Sequence, residues 1–145
     1  MNKIKVAICD DMPFVNQCFS LLLKQTEDIE LICSAESGDE LFKSIKQNTP
    51  DVLLLDIQMD YTDEGIDVLR QVKTQYPDMK VIMISVHEEE DYIFRCFSLG
   101  ACDYIIKSDD FSVICDTIRN AYYNKVSLNP YISQKLSIRF VGLTH

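Results

Sequence analysis

An alternation of two periodicities constrains this chain more than any other feature. Five short apolar runs, Ile4–Cys9, Leu31–Ser34, Val52–Leu55, Val81–Ile84 and Tyr104–Ile106, are separated by longer segments with apolar residues every three or four positions. Three of the runs are continuous rather than alternating, as a strand covered on both faces requires. The stripes between them are helical: Phe14, Val15, Cys18, Leu21 and Leu22; Leu41, Phe42 and Ile45; Val68, Leu69, Val72 and Tyr76; Ile93, Cys96, Phe97 and Gly100; Phe111, Ile114, Cys115, Ile118 and Tyr122. Punctuation agrees. Pro13 suits a first helical turn, Pro50 precedes the third strand, Pro77 follows the third helix, and Ser37-Gly38-Asp39-Glu40 reads as a helix start.

Five β–α repeats predict an α/β fold: a doubly wound, five-stranded parallel sheet with helices on both faces. Pattern alone leaves the strand order open. At 145 residues the chain fits one domain and needs no metal or disulfide staple. The six cysteines are scattered without a C-x-x-C pair and several lie in apolar runs, so they read as reduced, buried thiols. Met1–Lys5 runs into the first strand without a secretory h-region, and no apolar stretch is long enough to span a bilayer. A soluble cytoplasmic protein is the expectation. The net charge of −9 argues against this chain gripping nucleic acid by itself, or an anionic membrane.

Ligands of open α/β sheets sit beyond the carboxyl ends of the strands. There the sequence puts Asp10-Asp11 after strand one, Asp56 after strand three, Ser85 after strand four and Lys107 after strand five. Three crowded carboxylates repel one another unless a cation lies among them, and Mg²⁺ suits an all-oxygen site. Taken singly, each residue has an ordinary reading: a polar turn, a helix cap, a turn hydroxyl, a solvated lysine. Their conjunction at successive strand ends is what points to chemistry.

Over about residues 3–124 these residues resemble the receiver domain of two-component response regulators. The resemblance is carried by Asp10-Asp11, Leu54-Leu55-Asp56-Ile57-Gln58-Met59, Ser85 and Gly100-Ala101-Cys102-Asp103-Tyr104-Ile105-Ile106-Lys107. It implies a flavodoxin-like fold and a phosphorylation switch in which Asp56 accepts a phosphoryl group from a sensor histidine kinase. It further implies Mg²⁺ bound by Asp10, Asp11, Asp56 and the Gln58 backbone carbonyl, with Lys107 and Ser85 on the phosphoryl oxygens. Tyr104 would be the switch, rotating into space vacated as Ser85 is pulled toward the phosphoryl group. Gln58 and His87, two residues beyond Asp56 and Ser85, would tune the lifetime of the phosphoryl group.

The chain departs from the family pattern in places. The loop Met59-Asp60-Tyr61-Thr62-Asp63-Glu64-Gly65 lacks the usual proline and looks one residue longer, and its extra acids invite a role in metal affinity or kinase docking. Val86 is bulkier than the Ala or Gly common after the Ser/Thr and would narrow access to Asp56, and Ser108 replaces a frequent proline. Glu88-Glu89-Glu90-Asp91 reads as the acidic first turn of a helix.

Rival functions lack their signatures. There is no G-x-S-x-G turn for a hydrolase, Gln58 stands where a haloacid-dehalogenase-type phosphatase needs a second Asp, and no Gly-rich turn binds a dinucleotide. A phosphorylation-independent adaptor on the same fold is the runner-up. Ala35-Glu36-Ser37-Gly38-Asp39-Glu40 and the Gly100–Ser108 segment resemble the NarL/LuxR-like subgroup, whose members carry a C-terminal helix-turn-helix domain. The expectation is a receiver over residues 1–125 and a linker or extra helix over 126–145, leading to a DNA-binding domain beyond this chain. Phosphorylation would then drive homodimerisation and, through that domain, transcription.

Overall fold

The computed structural model describes residues 2–59, 63–86, 89–107 and 110–125. Along the chain these form β1 (Ile4–Cys9), α1 (Pro13–Lys24), β2 (Ile29–Ala35), α2 (Gly38–Ile45), β3 (Val52–Asp56), α3 (Glu64–Gln75), β4 (Lys80–Ser85), α4 (Glu90–Ser98), β5 (Asp103–Ile106) and α5 (Phe111–Tyr122). The sheet is parallel, in the order β2-β1-β3-β4-β5. This is the doubly wound, flavodoxin-like order. It also supplies what the apolar pattern left open. The chain turns one way after β1 and the other way after β2, so the carboxyl ends of β1 and β3 are neighbours at the switch point.

The continuous apolar runs are explained by two separate cores. On one face Ala7, Cys9, Leu53, Leu55, Val81, Met83 and Tyr104 pack under α2, α3 and α4. On the other, Ile4, Val6, Ile8, Leu54, Ile82 and Ile84 pack under α1 and α5. Successive strand residues point to opposite faces, so a strand covered twice must be apolar at every position. Serine starts α2 as expected: the Ser37 hydroxyl accepts from Glu40 N at 3.2 Å, while the Glu40 carboxylate accepts from Glu36 N at 2.7 Å.

Two local expectations fail for identifiable reasons. The second strand begins two residues before Leu31, at Ile29. Its pairing with β1 jumps from Val6–Leu31 to Ala7–Cys33, leaving Ile32 as an extra residue. The bulge breaks the burial alternation that would have marked the strand. The larger miss is α1. Much of its apolar stripe faces outward, with Phe14 at 73% and Leu21 at 65% exposure, although Val15 still packs half-buried against the core; Asn16, Phe19 and Leu23 face the sheet. Asn16 sets this phase. Its Nδ2 donates to the Asp10 carbonyl at 2.7 Å and to the Ala35 carbonyl at 3.4 Å, so the helix must turn that amide inward. The other four helices turn most of their expected stripes inward, but Gly100 lies past the end of α4 and is exposed.

The α1 geometry makes a sharp contrast. Leu23→Ala should destabilise the protein by roughly 2–5 kcal/mol. Phe14→Gln and Leu21→Gln should each change stability by less than about 0.5 kcal/mol. Urea unfolding midpoints of the three variants check this, and comparable losses in all three would mean that α1 is rotated the other way.

Candidate functional site

The site is built where the switch point brings strand ends together. β1 and β3 pair with Cys9 opposite Leu55, so the same register carried one residue on puts Asp10 beside Asp56. Asp10 and Asp56 are both buried, whereas Asp11 is half-buried. One carboxylate oxygen from each of these three residues lies within 4.8 Å of the other two. Lys107 enters from the end of β5. Its Nζ is 2.8 Å from Asp10 Oδ2 and 3.5 Å from Asp56 Oδ1. The shorter contact is an ion pair without hydrogen-bond alignment.

Backbone bonds lock these groups in place. Asp10 N donates to the Ala35 carbonyl at 3.0 Å, and Met12 N donates to Asp10 Oδ1 at 2.9 Å. Lys107 N donates to the Ser85 carbonyl at 2.8 Å, tying the ends of β4 and β5. Gly65, in the first turn of α3, donates its N–H to the Ile57 carbonyl at 2.7 Å. A Cβ on Gly65 would lie 1.8 Å from the Asp56 carbonyl oxygen, so only glycine lets the helix approach β3 this closely.

Electrostatically the site is under-neutralised. Burial is the largest influence on Asp56 and the Asp10 charge adds to it, against the pull of Lys107; its pKa rises from 3.8 to about 7. Among the described residues, the ammonium group of Lys107 is the cation seen against Asp10 and Asp56. The residues therefore fit a hard divalent cation: an all-oxygen donor set with excess negative charge suits Mg²⁺. Gln58, two residues beyond Asp56, is half-buried.

Ser85 is buried at the end of β4, and Tyr104 is completely buried on β5. The two share a hydrogen bond. Val86 is 68% exposed beside Ser85. His87 lies outside the described residues, as do Asp60, Ser108 and the segment 126–145. The acids Asp63 and Glu64 join other partners than the carboxylate cluster. Glu64 Oε2 accepts from Gly38 N at 3.0 Å, at the amino end of α2. Asp63, held at φ +66°, reaches Arg95 of α4 at 3.4 Å. Helix α3 begins at Glu64, so its opening residues point toward the neighbouring helices. Sequence reasoning missed Asn16 and Met12. A polar residue six positions beyond Asp10 inside an otherwise apolar helix was the available signal for the first.

A model of the response regulator receiver domain matches residues 6–119. The chain belongs to this family. It is 28% identical over 141 residues to the oxygen regulatory protein NreC of Staphylococcus carnosus, covering 97% of this chain and 65% of that protein. It is 26% identical over 135 residues to the transcriptional regulatory protein DegU of Brevibacillus brevis, covering 93% of this chain and 57% of DegU. The chain thus spans just under two thirds of the length of NreC. Among solved structures, a LuxR-family two-component response regulator from Aurantimonas superposes with a TM-score of 0.88 at 19% identity, covering 97% of this chain and 99% of that one. The response regulator RcsB of Salmonella typhimurium superposes at 0.84 and 21%, covering 94% of this chain and 68% of RcsB. These receiver relatives agree with the fold and with the NarL/LuxR-like subgroup.

Two consequences of the receiver site are measurable. Between about pH 4 and pH 7 the folded metal-free protein retains an Asp56 proton that the unfolded chain has released. Its stability should therefore fall as pH rises through that window. Asp56→Asn should flatten the slope and raise the metal-free Tm at pH 7.5, and Mg²⁺ should raise the Tm of the wild type far more than that of the variant. Thermal melts across pH, with and without Mg²⁺, provide the check. Separately, Gly65→Ala should cost roughly 1–3 kcal/mol in urea unfolding, because β3 or α3 must shift.

Proposed function

We propose that Asp56 is the phosphoacceptor of a signalling switch, supplied by a sensor histidine kinase and operated with Mg²⁺. The observation that carries this reading is Lys107 poised against both Asp10 and Asp56 at the end of the sheet, with Asp11 completing a carboxylate cluster. An Asp56 carboxylate oxygen forms a bond to phosphorus as the phosphorus–nitrogen bond of the donor phosphohistidine breaks. The electron pair of the broken bond stays with the departing imidazole. Lys107 offsets charge on the transferring oxygens, and the Ser85 hydroxyl donates to them. Asp10, Asp11, Asp56 and the Gln58 carbonyl would hold Mg²⁺, which when bound neutralises phosphoryl charge. Catalysis here is positioning and electrostatics, so the chain is a switch rather than a turnover enzyme.

The relatives support a transcriptional output. Relatives named as transcriptional regulators, and RcsB solved as dimers bound to DNA, support a receiver that dimerises on phosphorylation and controls DNA binding. With a net charge of −9, this chain is a poor partner for the polyanionic DNA backbone, which favours a DNA contact made by a further domain. Residues 126–145 then serve as the linker to it. His87 and Gln58 remain the positions at which phosphoryl lifetime is set, and the cytoplasm is where such a kinase–receiver pair operates.

Intact-protein mass after incubation with Mg²⁺ and acetyl phosphate tests the core of this reading. One phosphoryl group should be added to the wild type, lost in hydroxylamine, and absent from Asp56→Asn and from metal-free samples. A wild type left unmodified by both acetyl phosphate and kinase would instead favour an adaptor that works without phosphorylation.

A further inference from the structure

Lys107 has a neighbour that the phosphoryl chemistry does not use, the sulfur of Met12. This residue stands immediately before α1, where its N–H donates to Asp10 Oδ1 at 2.9 Å and Pro13 opens the helix. Its Sδ lies 3.9 Å from Lys107 Nζ, the nitrogen that also stands 2.8 Å from Asp10 Oδ2 and 3.5 Å from Asp56 Oδ1. A thioether is only a weak acceptor, so the two carboxylates decide where the ammonium group sits. Met12 is also the accessible sulfur of its kind: it is 49% exposed, whereas Met59, Met79 and Met83 are buried.

We propose that Met12 is an oxidation site through which a peroxide damps phosphoryl transfer, its sulfoxide oxygen drawing the Lys107 ammonium group away from Asp56. The effect on transfer rests on Asp56 being the phosphoacceptor. A sulfur lone pair attacks one peroxide oxygen, and a sulfur–oxygen bond forms as the oxygen–oxygen bond breaks. The departing hydroxide takes up a proton and leaves as water. Sulfur is oxidised and the peroxide reduced. The product carries a polar oxygen where the side chain had been apolar. That oxygen competes for the ammonium protons as the thioether could not. Of the two ion contacts of Lys107 the one to Asp56 is the longer, so Asp56 is the partner that loses it. The charge that offsets the transferring oxygens moves outward, while Asp10, Asp11 and Asp56 keep their oxygens for a metal.

The test treats the protein with hydrogen peroxide, then with dithiothreitol, which returns reversibly oxidised cysteines to thiols and leaves the sulfoxide. Peptide mass mapping should find the added oxygen at Met12 ahead of Met59, Met79 and Met83. Labelling by acetyl phosphate with Mg²⁺ should then slow roughly 3- to 10-fold, the scale of one hydrogen bond, without a fall in Mg²⁺ affinity. Methionine sulfoxide reductases should restore the rate. Met12→Leu, which keeps an apolar side chain of similar size, should label at the same rate with and without peroxide. Full-rate labelling of the Met12 sulfoxide, or an equal slowing of Met12→Leu, overturns the proposal and leaves the phosphoacceptor intact. A wild type that takes no phosphoryl group before oxidation overturns the phosphoacceptor reading, and the damping with it. The contact itself is read without any phosphoryl group. The NMR resonance of Lys107 Nζ should move on oxidation of the metal-free wild type, and a resonance that stays in place shows that the sulfoxide does not reach it.

Discussion

The arrangement depends on buried like charge at a topological switch point. Asp10 and Asp56 are brought together by the pairing of β1 with β3, and burial makes their proximity costly. Among the described residues, the ammonium group of Lys107 is the one seen close enough to offset them. This leaves the site short of positive charge, which is a binding preference before any ligand arrives. Cations and a transferring phosphoryl group flanked by cations answer the same deficit, so fold and chemistry share one electrostatic origin.

Three consecutive residues at the start of α3 carry that site outward. Gly65 lies against the Asp56 backbone, Glu64 accepts from the amino end of α2, and Asp63 pairs with Arg95 on α4. Each reaches a different element. All three lie on the face of the sheet where Tyr104 also packs, so α3 is fixed against β3, α2 and α4 at once.

The strands were legible because double burial demands uninterrupted apolar runs, and Val52–Leu55 has no other comfortable home. The site residues were legible because Asp10, Asp56, Ser85 and Lys107 each fall at a strand's carboxyl end, where α/β sheets bind ligands. Direction was harder to read. Asp63 and Glu64 follow Asp56 closely in sequence, yet they serve α4 and α2. The phase of α1 was hidden because a buried asparagine reads as a surface residue, although Asn16 satisfies two carbonyls that nothing apolar could. Strand order was unreadable, since apolar runs do not say which neighbour they pair with.

The register break in β2 bears on how this protein behaves when crowded. A parallel sheet apolar on both faces is a natural template for intermolecular growth if its margin is long and even. Here one margin is β2, where Ile32 interrupts the pairing, and the other is β5, only four residues long. Neither offers an approaching chain a long, evenly spaced row of backbone donors and acceptors. The bulge that obscured the strand in the sequence therefore also works against strand-to-strand addition at this margin of the sheet.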